Sequence, residues 1–421
     1  MVRTEIFFMV FFFFFVILFL IEIYAFQGFR VVSNSIQSDP LRLMTNWTYW
    51  LLTIVLLLLT IYGIWQYRKT FQFPLLSKWT LNLFISFLVT KIVFIVFVFS
   101  EDIYRLVFGI GTKIMGTETS SFLPERRLFF NQLGLAVAAV PFVSFLYGIT
   151  KGKYHFKVHK LSIEFDDLPE KFNGFTIAQI SDFHSGSFDD HTEVERGIEL
   201  LAEQKCDVIV FTGDLVNNKA DEFEPYLDLF KNLLAPSGKY SILGNHDYGD
   251  YVSWPSPEEK QKNFNKLCDL HSQAGFTLLR DENVLIEKED QSIAMSGVEN
   301  WGLGFGKRGN LEKAMSGLPK DLFKILLSHD PTHWENEVKT SEHLVRLCLS
   351  GHTHGAQMGV EIPGVKFSPV QFRYPHWAGL KEENGRFHYI NRGFGYLGFA
   401  GRVGIWPEIT VIELRRKGGD S

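Results

Sequence analysis

Cysteine is scarce in this chain, and the little there is lies far apart. Cys206, Cys268 and Cys348 are odd in number and outside any paired motif, so they support neither a disulfide framework nor a thiolate zinc site. Charge is scarce in the first third, where residues 1–150 hold 11 basic and 7 acidic side chains. The remaining 271 residues hold 31 basic and 40 acidic ones, a net of -9. No strongly basic domain exists, which excludes a general electrostatic footprint for nucleic acid, and no nucleic-acid partner is expected. Repeats and low-complexity linkers are missing from the last two thirds. A hydrophobic content of 46% excludes a disordered or fibrous chain.

What the first third does contain is long apolar runs. They cover residues 6–26, 47–67, 80–100 and 131–150. Each is about 20 residues, which matches a hydrocarbon core of ~30 Å at 1.5 Å per residue. Trp47, Trp50, Tyr62, Trp65, Tyr67 and Trp79 lie near run ends, where interfacial belts form. The first run is a poor cleavable signal, because one Arg precedes it, it is long, and no small-x-small site follows. Residues 1–150 therefore read as about four transmembrane helices of a multi-pass integral membrane protein. The lipid bilayer is one partner, and no protein partner is inferable. Glu22 and Lys91 are the charges inside the runs. The expectation is that Glu22 sits at a helix end and that Lys91 snorkels or breaks its helix into two interfacial pieces; the alternative is a pair facing the bundle interior. Basic residues divide almost evenly between the two sides, so the positive-inside rule leaves the orientation open.

Residues 151–421 read as one α/β domain. Phe175–Ile180, Val208–Thr212, Tyr240–Leu243, Leu322–Leu327 and Leu344–Leu349 are continuous apolar runs of strand length, as in strands covered on both faces. Glu193–Gln204 and Glu222–Leu234 between them have helical spacing. In an open α/β sheet, sites form beyond the carboxyl ends of strands. Each of the five runs ends in metal-capable side chains: Asp182 and His184; Asp214; Asn245, His246 and Asp247; His329 and Asp330; His352 and His354. Gly213, Gly244 and Gly351 allow the sharp exits. Any one piece alone is an ordinary turn or surface pair. The ordered set of five points to a shared metal site. Imidazole, carboxylate and amide oxygen without thiolate suit Mn, Fe, Zn or Co.

Asp182-x-His184, Gly213-Asp214, Gly244-Asn245-His246-Asp247, His329 and Gly351-His352-Thr353-His354 resemble the calcineurin-like metallophosphoesterase signature in order and spacing. Ser350–Gly355, Ile390–Gly393 and Pro407–Thr410 bring the chain nearer the membrane-associated bacterial branch, the YkuE/YaeI-like group. The departure is Ala356, where a second Gly is usual. The resemblance implies a two-sheet β-sandwich flanked by α-helices and two divalent metal ions. One metal would take Asp182, His184 and His354, the other Asn245, His329 and His352, with Asp214 bridging. It implies hydrolysis of a phosphate ester, of the phosphodiesterase or pyrophosphatase type, by a metal-bridging hydroxide. His246 would contact the phosphate or protonate the leaving group, and Asp247 would orient His246. Asp330 reads equally as a turn residue before Pro331. The branch includes phosphodiesterases and enzymes that cleave UDP-diacylglucosamine. A domain tethered by four spans lies close to the bilayer, and a net charge of -9 does not attract free polyanions, so the expected substrate is a lipid-linked or cell-envelope phosphate ester. The reading from another class is a non-catalytic membrane sensor or scaffold that keeps the fold.

Three further features stay open in the sequence. Arg126-Arg127 before the fourth run resembles a twin-arginine export signal, or is a plain positive flank; the expectation leans to a catalytic domain outside the cytoplasm. Among Arg373, Arg392 and Arg402, Arg392 is the preferred substrate-phosphate ligand, because it lies in a turn after a strand-like run. Trp301–Gly306 is a glycine–aromatic loop that either shapes a substrate mouth or is an ordinary connection.

Overall fold

The computed structural model describes residues 2–70, 75–115 and 124–418. They fall into two compact units that divide between Tyr147 and Gly148.

The first unit contains helices α1 (Val2–Ser33), α2 (Asp39–Thr70) and α3 (Leu75–Met115), and most of α4 (Pro124–Thr150). Among the described residues, these four are long and apolar enough to cross a membrane. Phe12, Leu51, Val96 and Val140 remain exposed on them, as side chains that face lipid do. Close approach of helices relies on small residues. A Cβ on Gly28 of α1 would lie 2.5 Å from Val98 Cγ2 of α3 and 2.7 Å from Asn131 Oδ1 of α4.

Glu22 is not at a helix end, and Lys91 neither snorkels nor breaks its helix; the structure corrects that expectation in favour of the interior pair. Glu22 lies well inside α1, and its carboxylate meets Lys91 of α3, with Nζ–O distances of 2.7 and 2.8 Å. Lys91 also donates to Thr53 Oγ1 of α2 at 3.0 Å, and the Tyr49 hydroxyl donates to Glu22 at 3.1 Å. Both side chains are largely buried, at 13% and 14% exposure. In an apolar medium a charge must find its counter-charge and its hydrogen bonds within the bundle, and here three helices supply them. Removing one partner of a buried pair leaves the other uncompensated. Glu22→Ala is expected to destabilise the detergent-solubilised protein by on the order of 3 kcal/mol, and Glu22→Gln with Lys91→Met to recover most of it. Thermal unfolding curves check this, and equal melting of the single and double variants would sink it.

The second unit is built on two six-stranded mixed sheets. The first runs in the order Lys157–Phe165, Glu408–Arg416, Phe175–Ile180, Val208–Phe211, Lys239–Ser241, Thr277–Leu278. The second runs Gly379–Glu383, Arg386–Ile390, Leu347–Ser350, Lys324–Leu327, Gln291–Gly297, Glu282–Lys288. Ile163, Ile177, Val210 and Ile412 of the first sheet share one core with Ile293, Ile325, Leu347 and Leu349 of the second. Alternate residues point the other way. Ala178, Ile180, Ile209 and Phe211 pack under Val194, Ile198, Leu201, Leu267 and Leu270 of two covering helices. Leu326 and Cys348 pack under Leu311 and Trp334. Both faces are covered, which is why these strands read as unbroken apolar runs. The expected two-sheet sandwich with flanking helices is what forms.

Boundaries differ in places. The helix expected over 222–234 is only Leu227–Lys231, preceded by two 3-10 turns. Pro225, which lacks an N–H, sits in the second turn and interrupts the ladder. The strand expected from Leu344 begins at Leu347, and Leu344 has φ 49°, a turn conformation.

Candidate metal centre

Three adjacent strands of the first sheet, Phe175–Ile180, Val208–Phe211 and Lys239–Ser241, and two of the second, Lys324–Leu327 and Leu347–Ser350, each end in a turn that delivers one part of the site. The backbone there is unusual. Asp182, His184, Asp214, His352 and His354 have φ of 52°, 49°, 60°, 71° and 49°. Non-glycine residues in this left-handed region are strained, and such strain concentrates where surrounding structure enforces it for function. Two glycines make room. A Cβ on Gly351 would lie 1.9 Å from Ser181 Oγ, and one on Gly213 would lie 2.6 Å from the Gly244 nitrogen.

The turns bring the sequence-predicted ligands together in two buried groups, Asp182–His184–His354 and Asp214–His329–His352. In the first, His184 Nε2 is 3.1 Å from His354 Nε2, which is 3.3 Å from Asp182 Oδ1. In the second, His329 Nε2 is 3.2 Å from Asp214 Oδ2 and 3.3 Å from His352 Nδ1. The same Asp214 Oδ2 is 3.6 Å from His184 Nε2, so one oxygen faces both groups.

The electrostatics fit cations. Burial holds His184 down to about 3 and His352 to about 4, and pushes His354 well below its ordinary value. These rings are neutral, the form that ligates metal. Burial alone would raise the Asp214 carboxyl, but the neighbouring imidazoles, His329 first, outweigh it and hold it well below the usual range. Burial would likewise lower His329, yet the Asp214 and Asp182 carboxylates raise it to about 10. Positive charge is what this cluster of acids calls for. Asn245 gives an independent test. Its Nδ2 donates to the Tyr251 hydroxyl at 2.8 Å, while its Oδ1 is buried with no partner. An orphaned buried acceptor costs about 1–3 kcal/mol, which a cation would offset. The donor set therefore fits divalent metal ions.

Surrounding contacts aim the ligands. His329 Nδ1 is 2.7 Å from the Thr212 carbonyl, which leaves Nε2 for the centre. The His352 amide donates to both Asp182 oxygens at 3.0 Å. Arg402, fully buried, donates to the Arg392 and Gly393 carbonyls and lies 3.3 Å from His354 Nδ1. Asp330 is both a turn residue and a neighbour of the site: Oδ1 accepts from the Thr332 amide at 2.8 Å, and Oδ2 lies 3.4 Å from His352 Nε2.

Two assigned roles change. Asp247 does not orient His246. Its oxygens accept the backbone N–H groups of Asp214, Leu215, Val216 and Gly244 at 2.8–3.3 Å. It fixes the chain that carries Asp214. The His246 ring is held by the Asn217 carbonyl, 2.7 Å from Nδ1. Arg392 is engaged elsewhere, with Nη1 2.6 Å from Glu408 and Nε 2.9 Å from Glu361, so it is not a free phosphate ligand. Sequence reasoning missed Tyr374, whose hydroxyl is 3.0 Å from His352 Nε2, and Tyr251, whose ring lies 4.4 Å from that of His246. Neither lies in a motif. The glycine–aromatic loop does reach the site, with Phe305 set edge-on to His352 at 4.5 Å, and Arg373 beside Phe305 at 4.7 Å.

Comparison with known proteins agrees with this geometry. Residues 175–356 match the family described as calcineurin-like phosphoesterase. Residues 5–153 match the probable calcineurin-like phosphoesterase transmembrane domain. The chain is 32% identical over 252 residues to the metallophosphoesterase YkuE of Bacillus subtilis, covering 59% of this chain and 82% of YkuE. It is 27% identical over 291 residues to the phosphodiesterase YaeI of Escherichia coli, covering 69% of this chain and 99% of YaeI. A transmembrane protein with metallophosphoesterase domain from Danio rerio is 26% identical over 68% of this chain and 62% of its own length. The chain belongs to the calcineurin-like phosphoesterase family, and it is a membrane protein and a phosphoester hydrolase.

In Asp247→Asn an NH2 group must face at least one of those backbone donors, because both carboxylate oxygens are used. The expected loss is about 1–3 kcal/mol of stability, together with lower metal occupancy. Melting and elemental analysis check this; an unchanged melt with full metal content would return Asp247 to a purely catalytic role.

Proposed function

We propose that the protein is a membrane-bound, binuclear-metal phosphodiesterase or pyrophosphatase acting on a lipid-linked or cell-envelope phosphate ester. The observation that carries the two-metal reading is Asp214 Oδ2, which stands between two buried ligand groups at 3.2 and 3.6 Å. Asp182, His184 and His354 would hold one ion, and Asn245, His329 and His352 the other. Bound there, divalent cations such as Mn, Fe, Zn or Co neutralise phosphate charge and make water acidic enough to supply a nucleophile at neutral pH.

The chain's own part follows from its geometry. His246 Nδ1 donates to the Asn217 carbonyl, which leaves Nε2 free to meet the substrate. Its backbone amide donates to Asp214 Oδ1 at 2.8 Å, so ring and carboxylate are held on one turn. From that place His246 contacts the phosphate and delivers a proton to the leaving oxygen. Phe305, Tyr374 and Tyr251 wall the approach. The diester reading gains support from YaeI, named a phosphodiesterase. The lipid-linked reading rests on the four apolar helices and on the catalytic portion's net charge of -9, which does not steer free polyanions inward.

Two experiments test this. Full-length protein loaded with Mn should hydrolyse a chromogenic phosphodiester. Asp214→Ala should lose both metals and all turnover, and His246→Ala should keep its metals while slowing by about 10²–10⁴-fold. Metal loss from His246→Ala as severe as from Asp214→Ala would overturn the assignment, and inactivity with metals bound would point to a sensor or scaffold. For the substrate, detergent-solubilised glycolipid diphosphates should be preferred over soluble nucleotides, and a C-terminal tag should be digested by protease on intact spheroplasts, placing the site outside the cytoplasm. Preference for nucleotides would leave the helices as an anchor only, and a protected tag would move the site inside.

A further inference from the structure

One element of the catalytic unit leaves a whole apolar face uncovered. Val360–Ile362 and Val365–Phe367 form an antiparallel hairpin, with Val360 opposite Phe367, Glu361 opposite Lys366 and Ile362 opposite Val365. Alternation along a strand puts the four apolar residues on one face and the charged pair on the other. In a soluble protein the apolar face turns inward. Here both faces of the hairpin are exposed, and the charged side chains are the ones tied to the rest of the unit. Glu361 accepts from Arg392 Nε at 2.9 Å, and Lys366 Nζ donates to the Ala378 carbonyl at 2.6 Å. The apolar face is left open, with Val360, Ile362, Val365 and Phe367 at 45%, 59%, 49% and 43% exposure. Beyond the hairpin the chain carries Phe372, 83% exposed, and two residues later Tyr374, the partner of ligand His352.

The root of the hairpin lies beside the end of the last apolar helix. Val403 accepts from the Gly359 amide at 2.9 Å and donates to the Gln357 carbonyl at 2.8 Å. The amide of the adjacent Arg402 donates to the carbonyl of Gly148 at 3.2 Å, and Gly148 lies in the last turns of α4. The hairpin therefore springs from the place where the last apolar helix enters the catalytic unit. A chain already fixed in a bilayer by that helix keeps lipid within reach of a short, outward, apolar hairpin.

We propose that the Val360–Phe367 hairpin is a membrane-docking element, whose apolar face enters the boundary between headgroups and acyl chains and sets the catalytic mouth at the lipid surface. Interfacial elements bury an apolar face about 5–10 Å deep in this way. The inference goes beyond the functional reading and stands whether or not the substrate is itself a lipid.

The test uses full-length protein in phosphatidylcholine liposomes. Single cysteines at Ile362→Cys or Val365→Cys, in a Cys268→Ser background, carry an environment-sensitive fluorophore; Leu234→Cys, at a position 84% exposed, is the control. Brominated phosphatidylcholine should quench the two hairpin labels at least about twofold more than the control, and aqueous iodide should do the reverse. Hairpin labels quenched by iodide as strongly as the control would overturn the proposal. Labels shielded from both quenchers would overturn it too, in favour of a second copy or another protein on that face.

Discussion

The Asp214 carboxylate is ionised, almost fully buried, and close to His184 and His329 at once. A desolvated carboxylate in that position needs cationic or hydrogen-bonding neighbours on every side. Much of the catalytic unit is arranged to supply them. Ligands arrive from strands of both sheets, so the two sheets have to pack before the site exists. The turns that carry them adopt left-handed backbone at five non-glycine positions, and Asp247 gathers four amides to hold the Asp214 turn in place. Strands buried on both faces give that turn rigid supports, as a preorganised centre requires.

The two units apply one solvent rule in opposite directions. Around the catalytic centre, apolar side chains point inward and water lies outside. In the helical unit, Phe12, Leu51, Val96 and Val140 point outward, and the charges Glu22 and Lys91 are turned in towards Thr53 and Tyr49. A buried ion pair is weak evidence of net stability, but with three helices contributing it discriminates strongly among packings. The 360–367 hairpin belongs to the catalytic unit and yet, like the helical unit, leaves apolar side chains exposed.

The aromatic wall of the centre illustrates how a shared ligand set acquires its own surroundings. Phe305, Tyr374 and Tyr251 stand against His352 and His246. They come from three connections of unrelated sequence. Arg373 lies next to Phe305 at the edge of this wall, while Arg392 and Arg402 are spent inside the fold on carboxylates and carbonyls. Of the three arginines, burial and partners, not local sequence, separate the one near the mouth from the two that brace the frame.

The amino-acid sequence by itself determined the apolar spans, the five site-bearing strands, four of them buried, and the residues at their ends. Those features are local: a span needs about 20 apolar residues in a row, a doubly covered strand needs an unbroken apolar run, and metal ligation needs particular side chains just past such runs. The tertiary structure alone decided the rest. It paired Glu22 with Lys91 across 69 positions, gave Asp247 to backbone amides instead of His246, and took Arg392 away from the phosphate role. It also brought Tyr374 and Phe305 to His352 and left the apolar face of a hairpin uncovered. Each of these depends on which distant segment arrives at a given side chain, and residue spacing carries no record of a partner supplied by another element.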